Sequence, residues 1–173
     1  ISIDAPVQTH HMEVEASSGT FTFPEDSQFS DRFIVWRASG TSLILEERSV
    51  SRTIRDGCIA FNFSRAPIVP GTSLSLIGNV FSLIVTTQSS IHRFSCRLHL
   101  DPNEEDKEPC EAALAQLLDV LVHKDILRHD AHDVHLLAAR GVPTRAAVAS
   151  RYSRTRVAVV IGDGQLVIVT LPN

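Results

Sequence analysis

The feature that most constrains the fold is a series of short β-rich runs separated by turn residues. Residues 32–37 read Arg-Phe-Ile-Val-Trp-Arg, and residues 80–94 join two such runs through Gln88-Ser89-Ser90. β-Branched and aromatic residues favour strands, and a short polar segment between two strands predicts a hairpin. Similar runs recur at intervals of about 8–12 residues, which is typical of a sandwich, a barrel or propeller blades. The pattern predicts a mainly β chain and leaves these three architectures open.

Turn chemistry predicts two further hairpins. Gly40 lies between residues 32–37 and the apolar run 43–45, and Asp163-Gly164 lies between the apolar runs 157–161 and 165–171. Glycine and aspartate supply the positive φ angles that tight hairpin turns require. Both arms of the second hairpin are almost continuously apolar, so we expect it to be buried on both faces.

One segment has a helical period. Leucine and valine recur at spacings of three and four residues from Leu114 to Leu127, and Pro109 stands where a first helical turn tolerates it. This predicts one amphipathic helix near 109–128, inserted into the β-rich chain. Its apolar face is expected to pack on the chain's own sheets, with a partner helix as the alternative. The sequence leaves the choice between core and interface open.

Composition disfavours several function classes. The formal net charge is −4, so we expect no direct contact with nucleic acid. No apolar run reaches the ~18–20 residues that a membrane span needs. The cysteines, Cys58, Cys96 and Cys110, form no CxxC pair, which favours reduced thiols that act as small core residues. Because the sequence begins with Ile1 and has no visible secretory signal, we expect part of a longer, soluble protein of the nucleus or cytoplasm.

The chain divides into four predicted segments. Residues 1–30 form a polar lead-in with a candidate edge strand at 20–23, and residues 31–98 hold a first group of strands. Residues 99–133 hold an acidic loop and the inserted helix, and residues 134–173 hold a second group of strands that ends in a hairpin. The boundaries follow changes in polarity and in hydrophobic period.

Several of these runs, taken in order, carry a resemblance to a known family. The first three are an aromatic–Ile–X–Trp strand at 31–37, an acidic-leucine strand at 43–49 and an aromatic strand at 60–63. They are followed by a Pro-Gly loop at 69–71, an apolar strand at 80–87 and an Ile-His-Arg strand at 90–94. In this order the chain resembles the amino-terminal propeller of the one-hundred-sixty-kilodalton scaffold nucleoporins, which belong to the Y-shaped outer-ring complex of the nuclear pore. The resemblance is good over 31–98, with a weaker echo over 144–172.

The resemblance implies both a fold and a function. The fold would be a partial β-propeller, its opening blades, with the inserted helix near 109–128. The function would be that of a structural scaffold at the nuclear envelope, which supports nucleocytoplasmic transport and mRNA export. The implied partners are the other subunits of the Y-shaped complex in a hetero-oligomer. The resemblance implies no enzyme activity, no cofactor and no catalytic or metal-binding residues, and it leaves the partner-binding residues unknown.

A histidine cluster is the strongest candidate for chemistry. Its members are His123, His129, His132 and His135, with Asp130 and Asp133 among them. On a helix, the i, i+3 spacing of His132 and His135 would bring two rings together as zinc ligands. No cysteine completes the set, so we interpret the cluster as solvated residues of a helix end and a loop. A hydrolytic or metal-dependent enzyme that uses 123–135 is the less favoured alternative.

Three other features are interpreted as structural. His92 beside Ser89 and Ser90 resembles a base with a nucleophile, but no G-x-S-x-G elbow accompanies it, so we expect a polar residue at a strand end. Trp36 is expected to pack between strands and not to stack on a ligand. Residues 162–164 are expected to form a turn, because no helix with a lysine follows as in a phosphate loop.

Charged runs and a second propeller class leave further alternatives. The basic stretch comprises Arg140, Arg145, Arg151, Arg154 and Arg156. We interpret it as a solvated strand surface, with a patch for an acidic partner as the alternative. The acidic run 104–106 is interpreted as a solvated loop, with a docking surface as the alternative. A propeller adaptor outside the nuclear pore, such as a vesicle-coat relative, would share the architecture and differ in its partners.

Overall fold

A computed structural model describes the backbone of residues 2–3, 16–99, 110–122, 128–133, 142–151, 154–162 and 164–171. Over these ranges the chain is mainly β, with one helix, α1, at Ala113–Val122. The prediction of a mainly β chain is confirmed.

The strands form three main sheets in chain order. Sheet 1 has the order β1-β6-β4-β3-β2 and consists of Ser2–Ile3 (β1), Ser17–Thr22 (β2), Arg32–Ser39 (β3), Ser42–Ser49 (β4) and Cys58–Phe63 (β6). Sheet 2 has the order β11-β9-β8-β7 and consists of Ser73–Ile77 (β7), Val80–Thr86 (β8), Ser90–Arg97 (β9) and Arg128–Asp133 (β11). Sheet 3 has the order β12-β13-β14 and consists of Pro143–Arg151 (β12), Arg154–Ile161 (β13) and Leu166–Leu171 (β14). Only β1 pairs parallel within these sheets, and a separate parallel pair joins Ile54–Arg55 (β5) to Cys110–Glu111 (β10).

The predicted hairpins are present. The residues Gly40 and Thr41 connect β3 to β4, and Gly40 has a φ of 55°. The carbonyl of Ile161 accepts a hydrogen bond from the Gly164 amide at 2.8 Å, and Gly164 has a φ of 86°. The candidate edge strand at 20–23 overlaps β2, which spans Ser17–Thr22 at the edge of sheet 1 and leaves Phe23 outside the strand. These elements form where the turn residues and the period-two alternation of apolar residues both predict them.

The predicted helix boundaries need correction. The helix begins at Ala113, not at 109, because Cys110 and Glu111 instead pair with Ile54 and Arg55. Residues 123–127, the predicted last part of the helix, lie outside the described residues. The segment 128–133, expected to be the end of an insertion, is strand β11 and pairs with β9 along its length. The strand expected at 134–139 also lies outside the described residues.

Two hydrophobic clusters show how the sheets are layered. The larger cluster joins the inner face of sheet 1 to sheet 2 and to α1; among its members are Ile34, Leu45, Phe61, Phe63, Leu83, Phe94, Leu114 and Leu117. The smaller cluster joins the opposite face of sheet 2 to sheet 3, and its buried members are Ile84, Ile91, Val157, Val159, Ile161 and Leu171. Sheet 2 is therefore the middle layer of a three-layer stack, in which Leu83 and Phe94 are buried on one face and Ile84 and Ile91 on the other.

The C-terminal hairpin differs from its prediction. Its inner face is buried, but Leu166 and Ile168 on β14 are each 61% exposed. The expectation that the hairpin is buried on both faces is therefore wrong for the described structure. A continuous apolar run is typical of strands covered on both faces, but here only one face has a neighbour among the described residues.

The Pro-Gly loop at 69–71, which precedes β7, packs closely against strand β12 of sheet 3. The Ala146 amide of β12 donates a hydrogen bond of 2.8 Å to the carbonyl of Pro70. Gly71 follows with a φ of 126°, and a Cβ at this position would lie 2.0 Å from the carbonyl oxygen of Ala146. Because both the backbone conformation and the available space require glycine, the loop contacts sheet 3 through its backbone.

The close approach at Gly71 predicts a large cost for Gly71→Ala. Gly78 has a φ of 59°, but a Cβ added there would have no atom within 4 Å, so Gly78→Ala is the matched control. We expect the control to lose ~1 kcal/mol of unfolding free energy and Gly71→Ala to lose ~3 kcal/mol or more, since the backbone of β12 must also move. Urea denaturation measures both values. Equal losses would contradict the close approach.

Candidate functional site

The described structure contains two buried polar groups, one groove and one exposed face that bear on function. No helix in the described ranges is both long and apolar enough to cross a membrane. Among the described residues, no group of three or more His, Cys, Asp and Glu side chains is placed to hold a metal ion.

The described members of the histidine cluster belong to a strand. His129 and His132 belong to β11, at register positions opposite Phe94 and Ile91 of β9. His123 and His135 lie outside the described residues. The zinc hypothesis depended on a helical i, i+3 spacing, and the described part of the cluster has strand geometry, so that argument for shared ligation does not apply here.

The first buried polar group, which we call the Glu47 junction, connects sheet 1 to α1. It comprises Arg32, Glu47, the carbonyl of Glu111 and the first amides of α1. Glu47 is 3% exposed and Arg32 is 4% exposed. Arg32 Nη1 and Glu47 Oε1 lie 3.2 Å apart. Both residues stand on the inner face of sheet 1, where Glu47 continues the alternation of Leu43 and Leu45.

The carboxylate of Glu47 supplies what the helix start lacks. The Leu114 amide donates a hydrogen bond of 2.9 Å to Glu47 Oε2, and the Ala113 amide also donates to this carboxylate. The first turn of α1 contains no acidic residue of its own. The first amides of a helix have no partner within the helix, and a negative charge there also complements the helix dipole. A strand residue therefore caps a helix that begins much later in the chain, at Ala113.

Arg32 completes the junction. Its Nη1 also donates a hydrogen bond of 2.8 Å to the carbonyl of Glu111, and its guanidinium carbon lies 5.1 Å from the centre of the Phe29 ring. Burial raises the pKa of Glu47, while the amides of Leu114 and Ala113 and the charge of Arg32 act in the opposite direction. Burying two charges is costly unless polar contacts compensate for lost water. Here the helix amides donate to the carboxylate, the Glu111 carbonyl accepts from Arg32 Nη1, and Asp31 Oδ1 lies 4.0 Å from Arg32 Nε.

A second, more exposed carboxylate lies next to the junction. Asp31 Oδ2 accepts hydrogen bonds from the hydroxyls of Ser51 at 2.6 Å and Ser49 at 2.8 Å. Partial burial raises the pKa of Asp31, but these hydroxyls and the charges of Arg52 and Arg32 outweigh burial and leave it below its ordinary value. The cluster ties the loop after β4 to the residue that precedes β3.

The second buried polar group contains the predicted base and nucleophile. Ser90 Oγ and His92 Nε2 lie 2.7 Å apart, and Ser90 Oγ lies 3.0 Å from Thr87 Oγ1. His92 is 0% exposed, and its ring centre lies 4.9 Å from that of Phe63. The expectation of a polar residue at a strand end is therefore wrong for His92. The distance suits proton transfer, but the location is the interior between sheets 1 and 2, where the pair links the β8–β9 turn to the core.

A shallow groove lies between the loop before β3 and the β7–β8 turn. Its volume is about 150 Å³, and its lining residues are Asp26, Ser27, Gln28, Phe29, Leu76, Gly78 and Asn79. Pockets for small-molecule ligands typically occupy ~300–1,000 Å³. The groove is too small for a substrate of that size.

Trp36 and two of the three cysteines pack within the fold. Trp36 is partly buried, packs against the larger cluster and faces Gly19, where a Cβ would lie 2.7 Å from its ring. Cys96 and Cys110 are buried, as expected of small core residues, whereas Cys58 is exposed. Burial raises the pKa of the Cys96 thiol to about 12, which keeps it protonated and unreactive.

Sequence reasoning missed the Glu47 junction. In the sequence, residues 43–49 stand out only as an acidic-leucine strand, with no partner indicated for Glu47. The available signal was the alternation, because the period of two that turns Leu43 and Leu45 inward also turns Glu47 inward. A charged residue at an inward position requires a partner, although the sequence does not identify that partner.

Comparisons with known proteins do not identify the chain. No protein-family model matches it, and no curated protein matches it either.

The Glu47 junction predicts a sharp contrast between neighbouring residues. We expect Glu47→Ala to lower the unfolding free energy by ~3–5 kcal/mol, because it leaves Arg32 and the helix amides buried without their partner. Glu47→Gln keeps an acceptor oxygen and should cost less. The control is Glu46→Ala, which removes only the solvent-exposed ion pair with Arg48 and should cost less than ~0.5 kcal/mol. Chemical denaturation that gives similar values for Glu46→Ala and Glu47→Ala would contradict the role assigned to the junction.

Proposed function

We propose that the chain is part of a structural scaffold that acts through protein–protein contacts and not through turnover. The observation that carries this proposal is the layering: three mainly antiparallel sheets, each made of strands nearly consecutive in the chain, stack in chain order. The described side chains that approach catalytic geometry are buried inside this stack. A rigid stack presents flat faces and sheet edges to partners, which is what a scaffold requires.

The assembly that we propose is the Y-shaped outer ring of the nuclear pore. The residues that carry the nucleoporin resemblance fall in β3, β4, β6, the Pro-Gly loop, β8 and β9. In this proposal the sheets, which have five, four and three described strands, are the opening blades of a β-propeller. Propeller blades are antiparallel sheets of typically four strands, and the mainly antiparallel sheets described here are close to that size. Other outer-ring subunits are the partners, the nuclear envelope is the location, and nucleocytoplasmic transport and mRNA export are the processes supported.

The principal alternative is a propeller adaptor of another assembly, such as a vesicle coat. The layering supports both proposals equally, because it concerns architecture and not partners. The order of the motifs from 31 to 98 favours the nuclear pore. A hydrolytic enzyme is less favoured, because the Ser90–His92 pair lies at an interior position next to Phe63.

Co-purification distinguishes the two assemblies. The tagged full-length protein, produced in its own cells at natural levels, is purified beside a tagged unrelated protein, and its location is recorded by fluorescence. We expect near-stoichiometric outer-ring nucleoporins and fluorescence at the nuclear rim. Vesicle-coat subunits in place of nucleoporins, or fluorescence absent from the rim, would overturn the nuclear pore proposal and leave the scaffold architecture unaffected.

A further inference from the structure

The outer face of sheet 3 combines an apolar centre with positive charge. The sheet register places Val160 beside Leu166, and Ala158 between Ala147 and Ile168. Leu166 and Ile168 are 61% exposed. The alanines at the neighbouring positions have short side chains, so larger side chains of a partner can pack over them. Exposed apolar patches of this kind on a protein surface mark interaction sites.

Among the described residues of sheet 3, the charge around this centre has one sign. Arg156 lies between Ala149 and Thr170 in the next row of the register, and Arg154 lies two residues earlier on the same strand. Arg145, Arg154 and Arg156 are exposed. The described residues of sheet 3 include no aspartate or glutamate. No described carboxylate lies within ion-pair distance of Arg154 or Arg156, although the whole chain has a net charge of −4.

The outer face of sheet 1 differs from this face in both respects. It carries charges of both signs, and Arg48 forms an ion pair of 2.9 Å with Glu46, two residues earlier on strand β4. Ile44, its exposed large aliphatic residue, is 37% exposed, against 61% for Ile168. The sheet 1 end of the stack therefore pairs its charges locally, whereas Arg154 and Arg156 at the sheet 3 end have no such carboxylate among the described residues.

We propose that the outer face of sheet 3 binds an acidic amphipathic segment of a partner protein, with apolar side chains over the alanines and carboxylates against Arg154 and Arg156. Charge complementarity selects this occupant. A second copy of the chain is disfavoured, since a twofold contact would set the arginine-bearing face against itself. Nucleic acid would leave the apolar centre unpaired. The inference rests on the scaffold function proposed above but not on the nuclear pore as its assembly.

The test titrates the full-length protein with a fluorescent amphipathic peptide that has leucines along one helical face and glutamates beside them. Arg156→Glu and Ile168→Asp are the test variants. Arg37→Glu, an exposed arginine of sheet 1, and Ile77→Asp, an isoleucine of sheet 2 that is 51% exposed, are the matched controls. We expect each test variant to weaken binding about tenfold or more and each control to leave it unchanged. A peptide with lysines in place of the glutamates should not bind.

Four results would overturn the proposal. The first is equal binding by the test and control variants. The second is sedimentation that shows self-association abolished by Ile168→Asp, which would assign the face to a second copy. The third is binding to phosphatidylserine vesicles with the same dependence on Arg156 and no binding of the peptide. The fourth is protection of a cysteine placed by Ile168→Cys from maleimide in the full-length protein alone, since the face would then already be covered. Failure of the nucleoporin co-purification would leave the peptide result intact, so the two proposals fail separately.

Discussion

The carboxylate of Glu47 is the contact on which the arrangement of sheet 1 and the helix depends. It lies on the inner face of sheet 1, pairs with Arg32 at 3.2 Å and caps the first amides of α1. Without it, the buried guanidinium of Arg32 would lose its carboxylate partner, and the first amides of the helix would lose their acceptor. The helix must start at this position to receive the cap, and the start then places Leu114 and Leu117 in the main core. A polar contact thus fixes the position of an apolar face.

The layering has a direct consequence for where partners can bind. Sheet 2 is covered on one face by sheet 1 and α1 and on the other by sheet 3, so its inward side chains are core residues, including His92. The faces available at the two ends of the stack are the outer faces of sheets 1 and 3. They differ in charge and in exposed apolar area, so a scaffold of this form has two unlike ends. In the proposed scaffold, unlike ends would suit an ordered assembly, because faces that differ in charge and apolar area can discriminate between partners.

The sequence predicted the parts of the fold that local rules determine. Turn residues and a period of two located the hairpins at Gly40 and Gly164, and a period of three to four located α1. The exact start of α1 could not be predicted, because it depends on a carboxylate distant in the chain and on the pairing of Cys110 with Ile54. The strand at 128–133 was missed because its polar sequence, Arg-His-Asp-Ala-His-Asp, has no strand signal of its own and forms by pairing with β9.

Hydrogen exchange followed by mass spectrometry tests the central claim, that sheet 2 is the middle layer of a three-sheet stack. Amides of strands covered on both faces open only through large-scale unfolding, whereas an edge strand with one exposed face opens locally. The account predicts that peptides from β8 and β9 exchange most slowly and that peptides from β14 exchange much faster under the same conditions. Exchange of β8 and β9 at the rate of β14 would show that sheet 2 is not enclosed, and would contradict the layered structure from which the scaffold function is argued.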